Sequence, residues 1–260
     1  MRMRAGQLPD EDPRPPLLDL EQRRLILPRH LVPVGLLLFE GRRTSDAPDV
    51  ATGVAELERA GIVGHGELHP FARDLLSPIA SPQAVVSVEI SGSGPLEIAT
   101  IWCAGRRCTL GASQDRKTFE LYPLEPGLIP FHLAALTRAG LRPADEKTPI
   151  TIGTDLLTQT VTTAATDPDD ACSRLQAQGL DADTAARIVR LLTAPSRRWR
   201  ISTLWREPDG FIGDRALEII DGGPLGYWEV TQIPKNDNVV LTPRSLDSVL
   251  RLFAAALPDG

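Results

Sequence analysis

Two histidines four residues apart, His65 and His69, are the first pattern in the chain whose chemistry has to be considered. On a helix this spacing places both imidazoles on one face, where they can bind a metal ion together. However, Gly64 and Gly66 flank His65, which predicts a turn before a helix rather than part of one. No further cluster of potential metal ligands stands out elsewhere in the sequence. We therefore expect solvated turn histidines and no metal site.

The three cysteines are the next candidates for chemistry. Cys103 and Cys108 bracket Ala-Gly-Arg-Arg, so they can face each other across a hairpin at a distance that permits a disulfide. One such pair is a weak signal for zinc, and Cys172 lies in a predicted helix. An odd number of cysteines in a long chain does not form a disulfide framework. The sequence favours reduced cysteines that pack as small apolar side chains.

No catalytic motif is present. The glycine-rich segment 91–95 is not GxGxxG and precedes no helix, so it cannot present a helix N-terminus to a phosphate. We expect it to be a flexible hairpin loop. The motifs GxSxG, Walker A and HExxH do not occur. Asp169 and Asp170 fit the first turn of a helix, where the helix dipole favours acids. The sequence therefore predicts neither an enzyme nor a bound cofactor.

The composition argues against two further classes of protein. The 260 residues are 42% hydrophobic and carry a net charge of -6, whereas nucleic-acid binders usually have a basic excess. The segment 197–200 (Arg-Arg-Trp-Arg) alternates basic and aromatic residues in a way that suits single-stranded nucleic acid, but it is short. No apolar run approaches 18 residues, and the N-terminus lacks the apolar core of a secretory signal. We expect a cytoplasmic protein without membrane insertion.

Aromatic residues are concentrated in the second half of the chain, which holds five of the twelve within about thirty residues. Tyr227 and Trp228 are adjacent, so on a strand they point to opposite faces of the sheet. One of them must then be covered by helices or by a partner. We predict a partner-binding surface, with segment 91–95 as a mobile contact. Its residues are Trp199, Trp205, Phe211, Tyr227, Trp228, Ser91, Gly92, Ser93, Gly94 and Pro95.

Apolar periodicity and turn residues predict the elements that position these side chains. The predicted helices are 17–27, 48–61 (capped by Ser45 or Asp46), 67–79, 126–139, 167–179, 181–194 and 242–257. The predicted strands are 85–90, 97–104, 108–110, 118–122, 199–205, 216–220, 226–233 and 239–241. Short turns between successive strands favour antiparallel pairing. The sequence therefore predicts an α+β fold.

Similar phrases recur about 118 residues apart. Leu57-Glu-Arg-Ala-Gly61 matches Leu175-Gln-Ala-Gln-Gly179, and the segment 118–123 matches 238–243 at an offset of 120. The common order of these matches predicts an internal duplication. We expect a disordered tail (1–16), an N-terminal half (17–148) and a C-terminal half (149–260). Related by a pseudo-twofold axis, the halves would share one central antiparallel sheet flanked by helical bundles.

The order of these features resembles the EspG family, cytosolic chaperones of actinobacterial type VII secretion systems. The phrases that carry the resemblance are 55–63, 75–82, 221–227 and 239–244, within residues 17–257. It implies a non-enzymatic chaperone that binds helical PE–PPE-like substrates and keeps them soluble for export. We expect the substrate to bind on the sheet and C-terminal helices of the second half. Family members usually have Gly-Arg-Tyr where this chain has Leu225-Gly-Tyr-Trp228, which leaves the identity of the substrate open.

A second interpretation stays open. The phrase Leu57-Glu-Arg-Ala-Gly-Ile62, followed by a helix and a hairpin, is similar to a winged helix. It would make the chain a transcription regulator or another nucleic-acid-binding protein. The lack of a basic recognition helix weakens this interpretation.

Overall fold

The computed structural model describes residues 12–42, 48–92, 94–113, 117–143, 148–233 and 235–258. Most of the predicted tail, the predicted cap residues Ser45 and Asp46, and Ser93 of the predicted loop lie outside these ranges. None of the described helices is long and apolar enough to cross a membrane.

The secondary structure is an ordered mixture of short helices and strands. The strands are β1 (Leu17–Asp19), β2 (Arg24–Pro28), β3 (Val63–Gly64), β4 (Glu67–Leu68), β5 (Ala84–Gly92), β6 (Glu97–Ala104), β7 (Arg107–Ser113), β8 (Thr118–Leu124), β9 (Ile150–Gly153), β10 (Arg197–Arg206), β11 (Ile212–Asp221), β12 (Tyr227–Ile233) and β13 (Asn238–Arg244). The helices are α1 (Val32–Phe39), α2 (Pro48–Arg59), α3 (Pro70–Ala80), α4 (Ile129–Thr137), α5 (Thr154–Ala164), α6 (Pro168–Ala177), α7 (Ala182–Thr193) and α8 (Leu246–Ala255).

The chain divides into two compact units, Met1–Gln83 with Ile101–Leu124, and Ala84–Thr100 with Glu125–Gly260. The first unit has the strand order β1-β2-β8-β7-β6, and the second has β6-β5-β10-β11-β12-β13-β9, with β6 contributing residues to both. The predicted α+β class with a large antiparallel sheet is confirmed. A sheet of this size does not occur in a winged helix, which combines a small helical core with a hairpin. The predicted duplication and its boundary at residue 148 stay predictions.

Each unit has its own apolar core. In the first unit α1, α2 and α3 pack on β2 and β8, with Leu57, Leu76 and Leu121 among the buried residues. In the second unit α5, α6 and α7 pack on one face of the sheet around Trp228 and Ile188. The other face of that sheet carries α4 and α8.

Three predicted helices differ from the observed elements. Residues 17–27 form the antiparallel pair β1–β2 instead of a helix, because the apolar run 25–27 is too short to distinguish a buried strand from a helix. Helix α3 begins at Pro70 rather than Glu67, since Glu67 pairs with Gly64. Helix α8 begins after Ser245, whose hydroxyl accepts from the Ser248 amide, whereas Thr242 and Pro243 belong to β13.

Helices α1 and α5 and strands β3 and β9 were not predicted. Five of the eleven residues of α5 are threonine, a residue of low helix propensity. In the structure three of these hydroxyls donate to the carbonyls one turn earlier: Thr158 to Thr154 O, Thr160 to Leu156 O and Thr162 to Thr158 O. The helix is therefore stabilised mainly by packing against the second-unit core, a tertiary contribution that local propensity does not show.

Matching phrases in the two halves form the same helix end. Gly61 and Gly179 both have positive φ, +68° and +91°. In each case the backbone amide of the next residue donates a hydrogen bond to the carbonyl five residues earlier: Ile62 N to Leu57 O, and Leu180 N to Leu175 O. This is the Schellman arrangement, in which glycine takes the left-handed position and an apolar contact closes the turn. The repeated phrase thus specifies the same local structure twice.

The connection after α4 is held to the sheet by two polar contacts. The Tyr227 hydroxyl accepts from Gly140 N (2.8 Å) and donates to Gly140 O (2.7 Å). Burial raises the pKa of Tyr227, so this hydroxyl stays protonated and able to donate at neutral pH. Arg142 makes two 3.0 Å hydrogen bonds to the buried carboxylate of Asp221, which also accepts from Gly223 N. A buried carboxylate needs these partners.

We predict that Gly61→Ala and Gly179→Ala each lower the free energy of unfolding by about 1 kcal/mol, because a Cβ penalises the left-handed backbone. A Cβ at either position meets no atom within 4 Å, so packing adds nothing. Gly64→Ala is the matched control, since Gly64 is also open but does not have positive φ. Urea unfolding of the three variants measures the effect. Equal stability of all three would contradict the assignment.

We also predict that Tyr227→Phe lowers the free energy of unfolding by about 1–3 kcal/mol, because both backbone groups of Gly140 lose their partner. Tyr122→Phe is the control: its hydroxyl donates to the Glu120 carboxylate, which also pairs with Arg14 and Arg24. Tyr122→Phe should therefore lower the free energy of unfolding by less than Tyr227→Phe. Chemical denaturation of both variants compares them, and an effect at Tyr122 as large as that at Tyr227 would oppose this interpretation.

Candidate protein-binding surface

Strands β5, β10 and β11 lie side by side in the second unit, and their two faces differ in burial. On one face, Val88, Ile201 and Leu217 align in register and are buried. The opposite face, called here the open face, carries side chains that are exposed or half-buried. Its three rows are Val85–Leu204–Asp214, Ser87–Ser202–Ala216 and Glu89–Arg200–Glu218.

The third row of the open face is charged. Arg200 lies directly opposite Glu89 on one side and Glu218 on the other. Opposite charges in such cross-strand positions attract each other. A shallow cavity of about 160 Å³ borders this row, with Ser91 and Arg198 also in its lining. The row therefore presents a fixed alternation of negative, positive and negative groups to any partner that covers it.

Large apolar side chains are exposed in the first row and at the adjoining hairpin turn, where Asp214 is the charged member of the row. Phe211 and Ile212 are 74% and 73% exposed, and Leu204 is 52% exposed. The turn itself is well defined: Glu207 N donates to Phe211 O, Phe211 N donates to the Asp209 carboxylate, and Gly210 has φ +90°. Exposed large apolar side chains held on a rigid turn are typical of a protein-binding surface.

Trp205, the second predicted ring near this turn, has a structural role as well as partial exposure. Its indole Nε1 donates to Glu207 Oε1 at 2.6 Å. The Arg215 guanidinium lies 5.1 Å from the ring centroid and donates to the carbonyls of Ala255 and Leu257. Trp205 and Arg215 thus link the hairpin to the C-terminal end of α8, where a cation is favourable.

The other three predicted rings are core residues. Trp199, Tyr227 and Trp228 are each at most 1% exposed. Trp199 packs against Tyr227 (5.3 Å between centroids) and Phe253 (6.0 Å), while Trp228 lies in the opposite core and donates to Leu225 O. Tyr227 and Trp228 do point to opposite faces, as alternation requires, but helices of the same chain cover both. They are not available to a partner in this conformation.

The predicted loop 91–95 lies at the edge of the open face. Ser91 and Gly92 end β5, and Gly94 and Pro95 are exposed. The sequence did not single out Leu204, Ile212, Glu89 or Glu218. Arg200 was considered only within segment 197–200, as a contact for nucleic acid and not for a protein. A signal for Leu204 was present, because it is apolar at a position of β10 whose parity otherwise holds arginine and serine. These residues share one face because of the strand order and the pairing register, which the local sequence does not show.

The remaining sequence candidates have structural roles. His69 caps α3, its Nδ1 accepting from Phe71 N, and His65 is exposed in the preceding turn. Within the described parts of the chain, no three potential ligands cluster as a metal site. Cys103 and Cys108 form a disulfide across the β6–β7 hairpin, so the expectation that they are reduced is wrong. The facing positions in the hairpin place their Cα atoms 4.2 Å apart.

Comparison with known proteins agrees with this architecture. The model of the EspG family matches residues 18–245. Among solved structures, the chain is similar to the type VII secretion system chaperone EspG5 of Mycobacterium tuberculosis, solved in complex with the PE25-PPE41 dimer. The TM-score is 0.65 at 14% identity, over 91% of this chain and 98% of that one. A search of curated proteins finds no match. Since the family model covers most of the sequence, the chain belongs to the EspG family.

Proposed function

We propose that this protein is a non-enzymatic chaperone of a type VII secretion system, which binds a helical PE–PPE-like substrate in the cytoplasm and keeps it soluble for export. Membership of the EspG family is the observation that carries this proposal. The similar fold of EspG5, whose structure is a complex with a PE–PPE dimer, supports it. The open face is the part of this chain that we propose as the contact surface.

The composition of the open face suits a reversible protein complex. Leu204, Phe211 and Ile212 offer apolar area at one end, and burial of such side chains supplies most of the affinity at an interface. The charged row Glu89–Arg200–Glu218 lies two rows away on β5, β10 and β11. Charged groups at an interface mainly select the orientation and identity of the partner. An apolar helix tip with polar flanks matches both features.

We predict that Leu204→Asp and Arg200→Glu each weaken binding of a PE–PPE dimer from the same genome by about tenfold or more. The first change would bury an unpaired charge in the apolar end of the contact, and the second would place three like charges in one row. Binding is measured by co-purification and by isothermal titration with the purified dimer.

Leu141→Asp is the matched control, because Leu141 is also an exposed apolar residue but lies after α4, away from the open face. It should bind like the unchanged protein, and all three variants should keep the circular dichroism and melting temperature of the parent. Undiminished binding by both open-face variants would refute the proposed surface. Failure of the unchanged protein to bind any PE–PPE dimer would refute the proposed function.

A further inference from the structure

The disulfide between Cys103 and Cys108 lies on the face of the first-unit sheet opposite α3. Neighbouring residues of a strand point to opposite faces, and the hydroxyl of Thr109, next to Cys108, donates to Leu75 O of α3 at 2.8 Å. Cys108 therefore points away from that helix. Cys108 is only 4% exposed, whereas Cys103 is half-buried. A dissolved thiol thus has access to the bond from the side of Cys103.

Contacts other than the disulfide hold the β6–β7 hairpin in place. Gln83 N donates to Cys103 O, and Gly105 N donates to the side-chain carbonyl of Gln83, both at 2.8 Å. On β7, the Arg107 guanidinium pairs with the Asp74 carboxylate of α3 at 2.7 Å. Because these contacts do not involve sulfur, opening the disulfide leaves the two cysteines facing each other on paired strands. The reduced pair is therefore positioned to close again.

The fold depends little on this bond. Its two cysteines are five residues apart in sequence, and the stabilisation that a disulfide provides grows with the length of the loop it closes. Dissolved thiols reduce disulfides in the cytoplasm, and a bond that is accessible is the more readily opened. That this chain meets such thiols rests on the proposed function, which places it in the cytoplasm. The chemistry of the pair itself does not depend on that proposal.

We propose that Cys103 and Cys108 form a reversible redox site, which a low-molecular-weight thiol such as glutathione opens through a mixed disulfide on Cys103. The thiolate attacks Sγ of Cys103, the bond between the two protein sulfurs breaks, and Cys108 leaves as a thiolate that takes up a proton. A second thiolate attacks the small-molecule sulfur of the mixed disulfide and releases Cys103. Two thiols are thereby oxidised to one small disulfide while the protein disulfide is reduced to two thiols. Oxidation follows the same steps in reverse.

A titration of the purified full chain with reduced and oxidised glutathione tests the proposal, with free thiols counted by alkylation and intact mass spectrometry. In the folded chain, reduced glutathione at about 10 mM should open the bond, and oxidised glutathione should close it again. The circular dichroism spectrum should be the same in both states. A bond that resists the thiol until urea unfolds the chain, or a dithiol that oxidised glutathione does not close, overturns the proposal. Since no PE–PPE dimer is present, neither result bears on the proposed function.

Single-cysteine replacements test which sulfur is attacked. With oxidised glutathione, Cys108→Ser should form a mixed disulfide at Cys103 about tenfold or more faster than Cys103→Ser forms one at Cys108, because access limits the exchange. Cys172→Ala is the matched control and should titrate like the parent. Burial and, secondly, the Asp169 carboxylate raise the pKa of Cys172, which leaves little reactive thiolate there. Equal rates at Cys103 and Cys108, or an adduct mainly on Cys172, contradict the proposed site.

Discussion

Burial of two adjacent rings on opposite faces of β12 is the interaction on which the second unit depends. Tyr227 packs against Trp199 at a tilted angle and holds the connection after α4 through its hydroxyl, whereas Trp228 fills the core beneath α5, α6 and α7. A strand that is buried on both faces needs a layer of helices on each side. These two side chains thus hold both helical layers to one strand, and the sheet cannot rotate relative to either layer without exposing a large ring.

The same arrangement explains why the open face is left uncovered. Its middle and charged rows consist of serine, alanine, glutamate and arginine. Burial of these side chains contributes little free energy, so a helix of the chain would gain little stability by packing on them. The most exposed large apolar side chains of this region, Leu204, Phe211 and Ile212, lie at one end. A surface of this kind remains soluble alone and still gains affinity from a partner that fits both regions.

Glycine and capping residues specify the ends of several helices in both halves. Asp167, Asp181 and Ser245 cap α6, α7 and α8 through their side chains. The hydrogen bonds from backbone amides lower the pKa of Asp181, because they stabilise the carboxylate. These contacts are local, within a few residues of sequence, and that is why sequence patterns located α6 and α7 well, although the predicted start of α8 at Thr242 was wrong. Helix α5 has no comparable signal, since its threonines depend on the core beneath them.

The sequence by itself determined the α+β class, most strands, the helix ends marked by glycine, proline or aspartate, and the absence of a recognised catalytic motif. It also determined that Tyr227 and Trp228 face opposite ways, because alternation along a strand is a property of the backbone. Only the tertiary structure decided that both rings are core and that Leu204, Arg200 and Glu218 share an exposed face. Strand order and helix coverage decide burial, and both arise from contacts between residues far apart in the chain, which no local pattern encodes.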